Sequence, residues 1–373
     1  MQEICKPGGR AGAARRVSGL ESRVHAIYRG VMSSRNVLFG SGATTTTQKS
    51  RFLHVANGTS TTMTIEAAGI PGAVSIWADP LHDGPVPHGL SDEELIAVRG
   101  YLPGPDEPPP DPVIDVRNWR AVIARQDEYD ELILWYEHDL FDQLNLVQLL
   151  TWLREHVPTA VVSLICIGSF PGRPNFHGLG ELTPAELATL LDTRQPVVDA
   201  QYQLAARTWR AFREPTPEAL DRLRRSDTSA LPFLSAAITR FLQEYPWTTD
   251  GLSRTERRLL ELAAGGPIEL HNIFPRMHDG EYSYYVSDMS LADIVESLST
   301  ADPPLLGVTA GHEDDLRRLR AKVHLTEAAR AVLDGREDRV ARCGIDRWLG
   351  GVHLQGRANL WRWDPQHDRI TRT

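Results

Sequence analysis

Glu137, His138 and Asp139 follow directly after a short apolar run, Leu132 to Tyr136. A carboxylate beside an imidazole can pass a proton. Asp142 and Gln143 add a second carboxylate and an amide, and His138 and Asp142, four apart, fall on one face of a helix. His138 with Glu137 or Asp139 is therefore the candidate acid/base pair, with Asp142 and Gln143 as ligand-binding candidates. The competing reading is structural, with Asp139 capping the helix that starts after it. His and carboxylates also bind metals, but no H-E-x-x-H or C-x-x-C spacing is present, so no metal site is predicted and the cofactor stays open.

Three further polar stretches have the same character. In Asn57-Gly58-Thr59-Ser60-Thr61 a glycine precedes hydroxyls, which suits backbone N–H groups binding an anion at a helix start. The alternative is that Thr59 or Ser60 caps that helix; neither G-x-G-x-x-G nor a P-loop is present. Asp79 lies about 20 residues after Gly58, where a dinucleotide fold places the acid that holds a ribose hydroxyl. It is expected to hold a hydroxyl or a cation, or else to cap its own loop. His82 and Asp83 follow, in a loop stiffened by Gly84, Pro85 and Pro87. The last stretch offers Ser169, Arg173, Asn175 and His177. Arg173 is the one cation of these loops and a candidate clamp for phosphate or carboxylate. Ser169 lacks a G-x-S-x-G elbow, which argues against a serine hydrolase.

A parallel sheet would bring these stretches to one edge. Apolar runs at 52–56, 73–78, 132–136 and 160–167 alternate with helical stretches, and each is followed by one of the polar loops. That order predicts an α/β fold with a Rossmann-like parallel sheet over residues 51–182, whose ligands bind outside the carboxyl ends of the strands. The capping box Ser91/Glu94 opens a helix to Leu102, and 103–112 is a proline-rich connection. Residues 183–250 predict a helical segment with helices at 184–191, 197–212, 217–225 and 232–245. Residues 251–373 begin with a second capping box, Ser253 and Glu256. Helices at 253–263 and 291–298, strands at 305–308 and 321–325, and a helix at 326–333 predict a C-terminal winged-helix-like domain. Val352–Leu354 and Asn359–Trp363 read as a hairpin around Gln355-Gly356-Arg357.

Composition excludes some classes. A chain of 373 residues exceeds one ordinary core. With 41% hydrophobic and 24% charged residues it reads as a globular protein, and no apolar run is long enough for a membrane span. Cys5, Cys166 and Cys343 are odd in number and far apart, which predicts a reducing, cytoplasmic setting without disulfides. The net charge of −9 divides into +6 for 1–50, −13 for 51–250 and −2 for 251–373. Residues 1–50 lack a sustained apolar period and are read as a disordered tail. The candidate recognition helix, Ser287–Leu298, carries Asp288, Asp293 and Glu296 and no Lys or Arg. This argues against sequence-specific DNA as a partner and leaves a protein partner open. Trp348, Trp361 and Trp363 are read as core or interface anchors.

Three stretches carry a resemblance: Leu53-His54-Val55-Ala56-Asn57-Gly58, the Asp79–Pro85 turn, and Leu134–Leu144 with its Asp-x-x-Asp-Gln. Over roughly residues 52–180 the chain resembles a bacterial family catalogued as domain of unknown function 1835 (DUF1835). The tail, Asp346–Leu354 with Trp361-Arg362-Trp363-Asp364, is similar to the end of its longer members. The resemblance implies no activity. From the residues alone, the expected function is binding of a small polar ligand, of nucleotide or sugar-phosphate type, with acid/base or hydrolytic chemistry open. The alternative is a non-catalytic regulator that uses the winged-helix-like domain.

Overall fold

The structure is a computed structural model that describes residues 51–99, 111–312 and 315–373. The expected tail at 1–50 lies outside the described residues, as does most of the proline-rich connection.

The first half of the described chain runs β1 (Phe52–Ala56), α1 (Thr59–Ala67), β2 (Ala73–Ile76), β3 (Gly84–Pro85), α2 (Asp92–Arg99), α3 (Asp111–Ala124), β4 (Glu131–Glu137), α4 (Leu140–His156) and β5 (Val162–Ile167). Successive side chains on a strand point to opposite faces. Accordingly β4 sends Leu132, Leu134 and Tyr136 into one buried cluster, with Ile123 of α3 and Leu144 of α4. Ile133 and Trp135 enter a second cluster with Ile65 of α1. Both faces of the sheet are therefore covered, which is why β4 reads as an unbroken apolar run. The strand order is β2-β1-β4-β5-β6, where the short β6 (Gln195–Pro196) is antiparallel to β5 and the other pairs are parallel. From β1 the order runs one way to β2 and the other way to β4. The helix after β1 and the helix after β4 lie on opposite faces, so the strand order reverses between these two strand ends, the position at which open α/β sheets bind ligands.

Next come α5 (Pro184–Ala188), α6 (Asp199–Arg213), α7 (Glu218–Arg224) and α8 (Leu234–Leu242); α6 and α8 pack on α4. The later elements are α9 (Arg254–Ala263), β7 (Ile268–Glu269), α10 (Leu270–Met277), α11 (Asp288–Ser299), β8 (Leu306–Thr309), β9 (Lys322–Leu325), α12 (Glu327–Leu333) and α13 (Arg339–Cys343). β8 and β9 pair antiparallel, with β7 on the other edge of β9.

The tail differs from the sequence reading. Val352–Leu354 does not pair with Asn359–Trp363. Instead β10 (Ile345–Gly350) pairs with β11 (Val352–Gly356), and β12 (Trp361–Asp364) pairs with β13 (Arg369–Arg372). The reversal at Gly350-Gly351 decides this pairing. Gly350 has φ +59°, and a Cβ on Gly351 would overlap the Arg213 carbonyl oxygen, so the chain turns tightly against the end of α6. β10 also pairs in parallel with β3, Leu349 opposite Gly84 and Gly350 opposite Pro85. One buried cluster runs from Leu53 to Trp363 and continues across residues 182 and 250.

Candidate functional site

The sheet brings Asn57, at the end of β1, against Glu137, at the end of β4. The Asn57 side-chain amide donates to Glu137 Oε1 (3.0 Å) and to Asp142 Oδ2 (2.7 Å). Thr61 Oγ1, one helical turn on, donates to Asn57 Oδ1 (3.1 Å) and so orients the amide. Asp142 Oδ1 accepts the Glu137 backbone N–H (2.8 Å). Asp139 caps α4, its Oδ1 accepting the Asp142 N–H (2.8 Å). Gln143 Nε2 donates to the Glu137 carbonyl oxygen (2.6 Å). Gly178 closes over the Glu137 carboxyl, where any Cβ would overlap Oε2. Glu137, Asp139, Asp142 and Gln143 are all buried.

Three buried carboxyl groups this close together cannot all be charged. Burial, then the Asp139 charge, pushes Glu137 up to about 8, against the opposing hydrogen bonds of Leu179 and Asn57. Burial pushes Asp139 up to about 6 despite its hydrogen bonds to Asp142 and Phe141. Asp142 is held well above its ordinary range by burial and by the charges of Glu137 and Asp139. The group therefore carries protons at neutral pH and can exchange them there.

His138 lies beside this group and is 2% exposed. Its ring rests on Tyr282 (centroids 4.1 Å) and near Phe176 and Phe233 (both 6.1 Å). Its buried Nδ1 has no hydrogen-bond partner. Burial lowers its pKa, the backbone of Tyr282 and Ile167 opposes this, and His177 lowers it further. Tyr282, 54% exposed, closes the site from the C-terminal half; its hydroxyl donates to the Gly168 carbonyl oxygen (2.8 Å). The Leu140 N–H donates to the Ser283 carbonyl oxygen (2.7 Å), which ties the same segment to the start of α4.

The other expected site residues are placed differently. Gly58, not Thr59 or Ser60, is the N-cap of α1, and no side chain caps this helix. Thr59 is half-buried and Ser60 exposed at its first turn. Asp79 does hold a cation, but it is the protein's own Arg99. The guanidinium donates to both carboxyl oxygens (2.8–2.9 Å from Nε) and to the carbonyl oxygens of Pro80, Asp83 and Pro85. Asn145 brackets the Asp79 backbone from α4. His82 is buried against Tyr284 (5.1 Å) and Phe141 (6.2 Å), and burial lowers its pKa. Asp83 lies 3.7 Å from His82 and 3.8 Å from Arg347. Arg173 is paired with Glu186 (2.7 Å), the capping-box acid of α5, rather than turned toward Glu137. Ser169 is exposed, and His177 is half-buried near His278. Among the described residues no group of three or more His, Cys, Asp or Glu is arranged to hold a metal, and no helix is long and apolar enough to cross a membrane.

Arg99 and Tyr282 are the site residues that the sequence did not single out; Thr61 belonged to the quoted hydroxyl stretch, but as an anion ligand rather than as the residue that orients Asn57. Thr61 carried a local signal, four residues after Asn57 at the start of a helix. Arg99 and Tyr282 carried none, because each reaches its partner only through the tertiary fold. Compared with models of known families and with curated proteins, the chain matches none.

Proposed function

We propose that the crevice between the ends of β1 and β4 binds a small polar ligand, of nucleotide or sugar-phosphate type, and that Glu137 and Asp142 exchange a proton with it. The observation that carries this reading is the Asn57 amide, which bridges two carboxyl groups where the strand order reverses, one of them protonated up to about pH 8. Among parallel strands the order is second, first, third, fourth, which supports reading the sheet as Rossmann-like in its flavodoxin-like form. The half-exposed start of α1 supports the reading, since helix N-termini favour anionic groups. His138 becomes an acid/base partner only when Tyr282 moves aside. Membership in the DUF1835 family belongs to the same proposal; it is supported by the quoted stretches, which supply β1, the loop after β2 and the start of α4.

The alternative is a non-catalytic regulator that uses a winged-helix-like domain to contact a partner. The order helix–strand–helix–helix–strand–strand over 254–325 suits a winged helix, with α11 as its recognition helix. Yet Asp293 and Glu296 of α11 are both taken by Arg317, which favours a structural or protein-contact role.

The test is native mass spectrometry and calorimetry of the full chain with AMP and with glucose 6-phosphate. Binding of at least one, with a binding event lost in Asn57→Ala and weakened in Glu137→Gln, is the expected result. Binding unchanged in both variants, or none by either compound, refutes the reading.

A further inference from the structure

A cavity of about 900 Å³ lies away from Glu137, between the loop after β2, helices α11 and α13, and the β10–β11 hairpin. Its size is that of a small-molecule site. Of the sheet-edge candidates only Asp83 lines it.

Which ligand it suits follows from which charges are already satisfied. Four carboxylates face the cavity, and three have close partners in the protein. Asp293 is paired with Arg317, Asp346 with His353 (2.7 Å), and Glu256 accepts the Ser253 N–H (2.8 Å) in the capping box of α9. The fourth, Asp83, has among the described residues the longer contacts to His82 and Arg347. The three lining guanidinium groups are less engaged. Arg339 donates from Nη1 to the Gly344 carbonyl oxygen (2.7 Å), but its buried Nε has no partner, and Glu256 is 3.5 Å away. Arg347 donates over a long 3.4 Å to the Glu244 carbonyl oxygen and reaches the Glu244 carboxylate at 3.5 Å and Asp83 at 3.8 Å, while that carboxylate is committed to Arg240 (2.6 Å). Arg357 is exposed and has no hydrogen bond or ion pair among the described residues. Arg339 and Arg357 meet at Gly344: one donates to its carbonyl oxygen, and the Cγ of the other lies 3.5 Å from where a Cβ would stand. Arg347 is two strand residues beyond Ile345, which is paired with Gly356, the neighbour of Arg357.

We propose that this cavity is a second binding site, for a small organic phosphate whose phosphate group is held by Arg339, Arg347 and Arg357. The spare capacity of the lining is donor capacity, and three guanidinium groups suit a doubly charged phosphate monoester better than a single carboxylate. Ile294 and Trp348 provide apolar wall for the organic part. This site is independent of the crevice at Glu137.

The probes are inorganic phosphate, AMP and adenosine, titrated calorimetrically into the full chain in a buffer free of phosphate. AMP and phosphate bind and adenosine does not. Arg357→Gln, which breaks no hydrogen bond or ion pair among the described residues, weakens AMP roughly ten- to a hundredfold, the scale of a hydrogen bond to a charged group. Arg347→Gln weakens it similarly. Binding of AMP that is insensitive to Arg357→Gln and Arg347→Gln overturns the assignment, as does failure of both AMP and phosphate to bind. Loss of AMP binding in Glu137→Gln with full binding in Arg357→Gln overturns it too, and moves the phosphate to the sheet edge.

Discussion

Glu137 shows how a single side chain can tie stability to pH. The unfolded chain releases its proton near pH 4.5, whereas the folded chain keeps it to about pH 8. Its contribution is therefore complete below 4.5 and is lost as pH rises through 8. His54, His82 and His138 act in the opposite sense below 6.5, because burial keeps them neutral in the folded chain. The informative quantity is thus the difference between wild type and Glu137→Gln, whose amide stays neutral. That difference moves in favour of the variant as urea denaturation is repeated from pH 5 to pH 8; a pH-independent difference refutes proton retention at Glu137. The Asp79–Arg99 pair is a second residue-scale case. Removing one partner of a buried pair leaves the other charge stranded, so Asp79→Ala is expected to cost about 3–5 kcal/mol in chemical denaturation. A loss below about 1 kcal/mol, the value of a surface pair, contradicts that. The sequence showed Asp79 as a notable acid but not why, since its partner is at the far end of another helix.

At the scale of elements, the segment around Tyr282 decides access to His138. Tyr282 is half exposed, and beyond its stacking on His138 its side chain is held by the bond to Gly168. Tyr282→Ala is expected to cost little stability and to speed modification of His138 by diethyl pyrocarbonate several-fold, read by peptide mass mapping. An unchanged rate at His138 means that Phe176 and Phe233, not Tyr282, close the site. The elements legible in the sequence were those with a strong period of their own. β4 with α4 is the clearest case, together with the capping boxes at Ser91 and Ser253, both of which form. β3 and β6 are two residues long and exist only through their partners. Helix α10 contains Pro275, which masked it. The tail has plausible strands on both sides of Gln355-Gly356-Arg357, and it is the tight Gly350-Gly351 turn against α6 that selects the true partner.

For the whole molecule, α4 sets the rule. Every residue from Asp142 to Leu153 is buried, so this helix needs cover on all sides. The sheet covers one side and α6 and α8 another. A fragment ending at residue 182 would leave that second side bare. It is expected to bind a dye for exposed apolar surface and to lack a sharp thermal transition. The full chain should unfold in urea in a single transition by tryptophan fluorescence and by circular dichroism. Two separated transitions, or a cooperatively folded fragment, contradict a shared core. Charge and periodicity made the succession of segments legible, but not that they bury one another, because burial depends on partners distant in the chain.

The pairing of β3 with β10 sets a timetable for synthesis. Gly84 and Leu349 are roughly 265 residues apart, so at about 5–20 residues per second their pairing must wait some 15–50 s after Gly84 is made. During that interval the loop that carries Asp79, His82 and Asp83 has lost its final neighbour to a part of the chain not yet translated. This loop is thus open to proteases and to wrong edge pairing while the polypeptide is still on the ribosome.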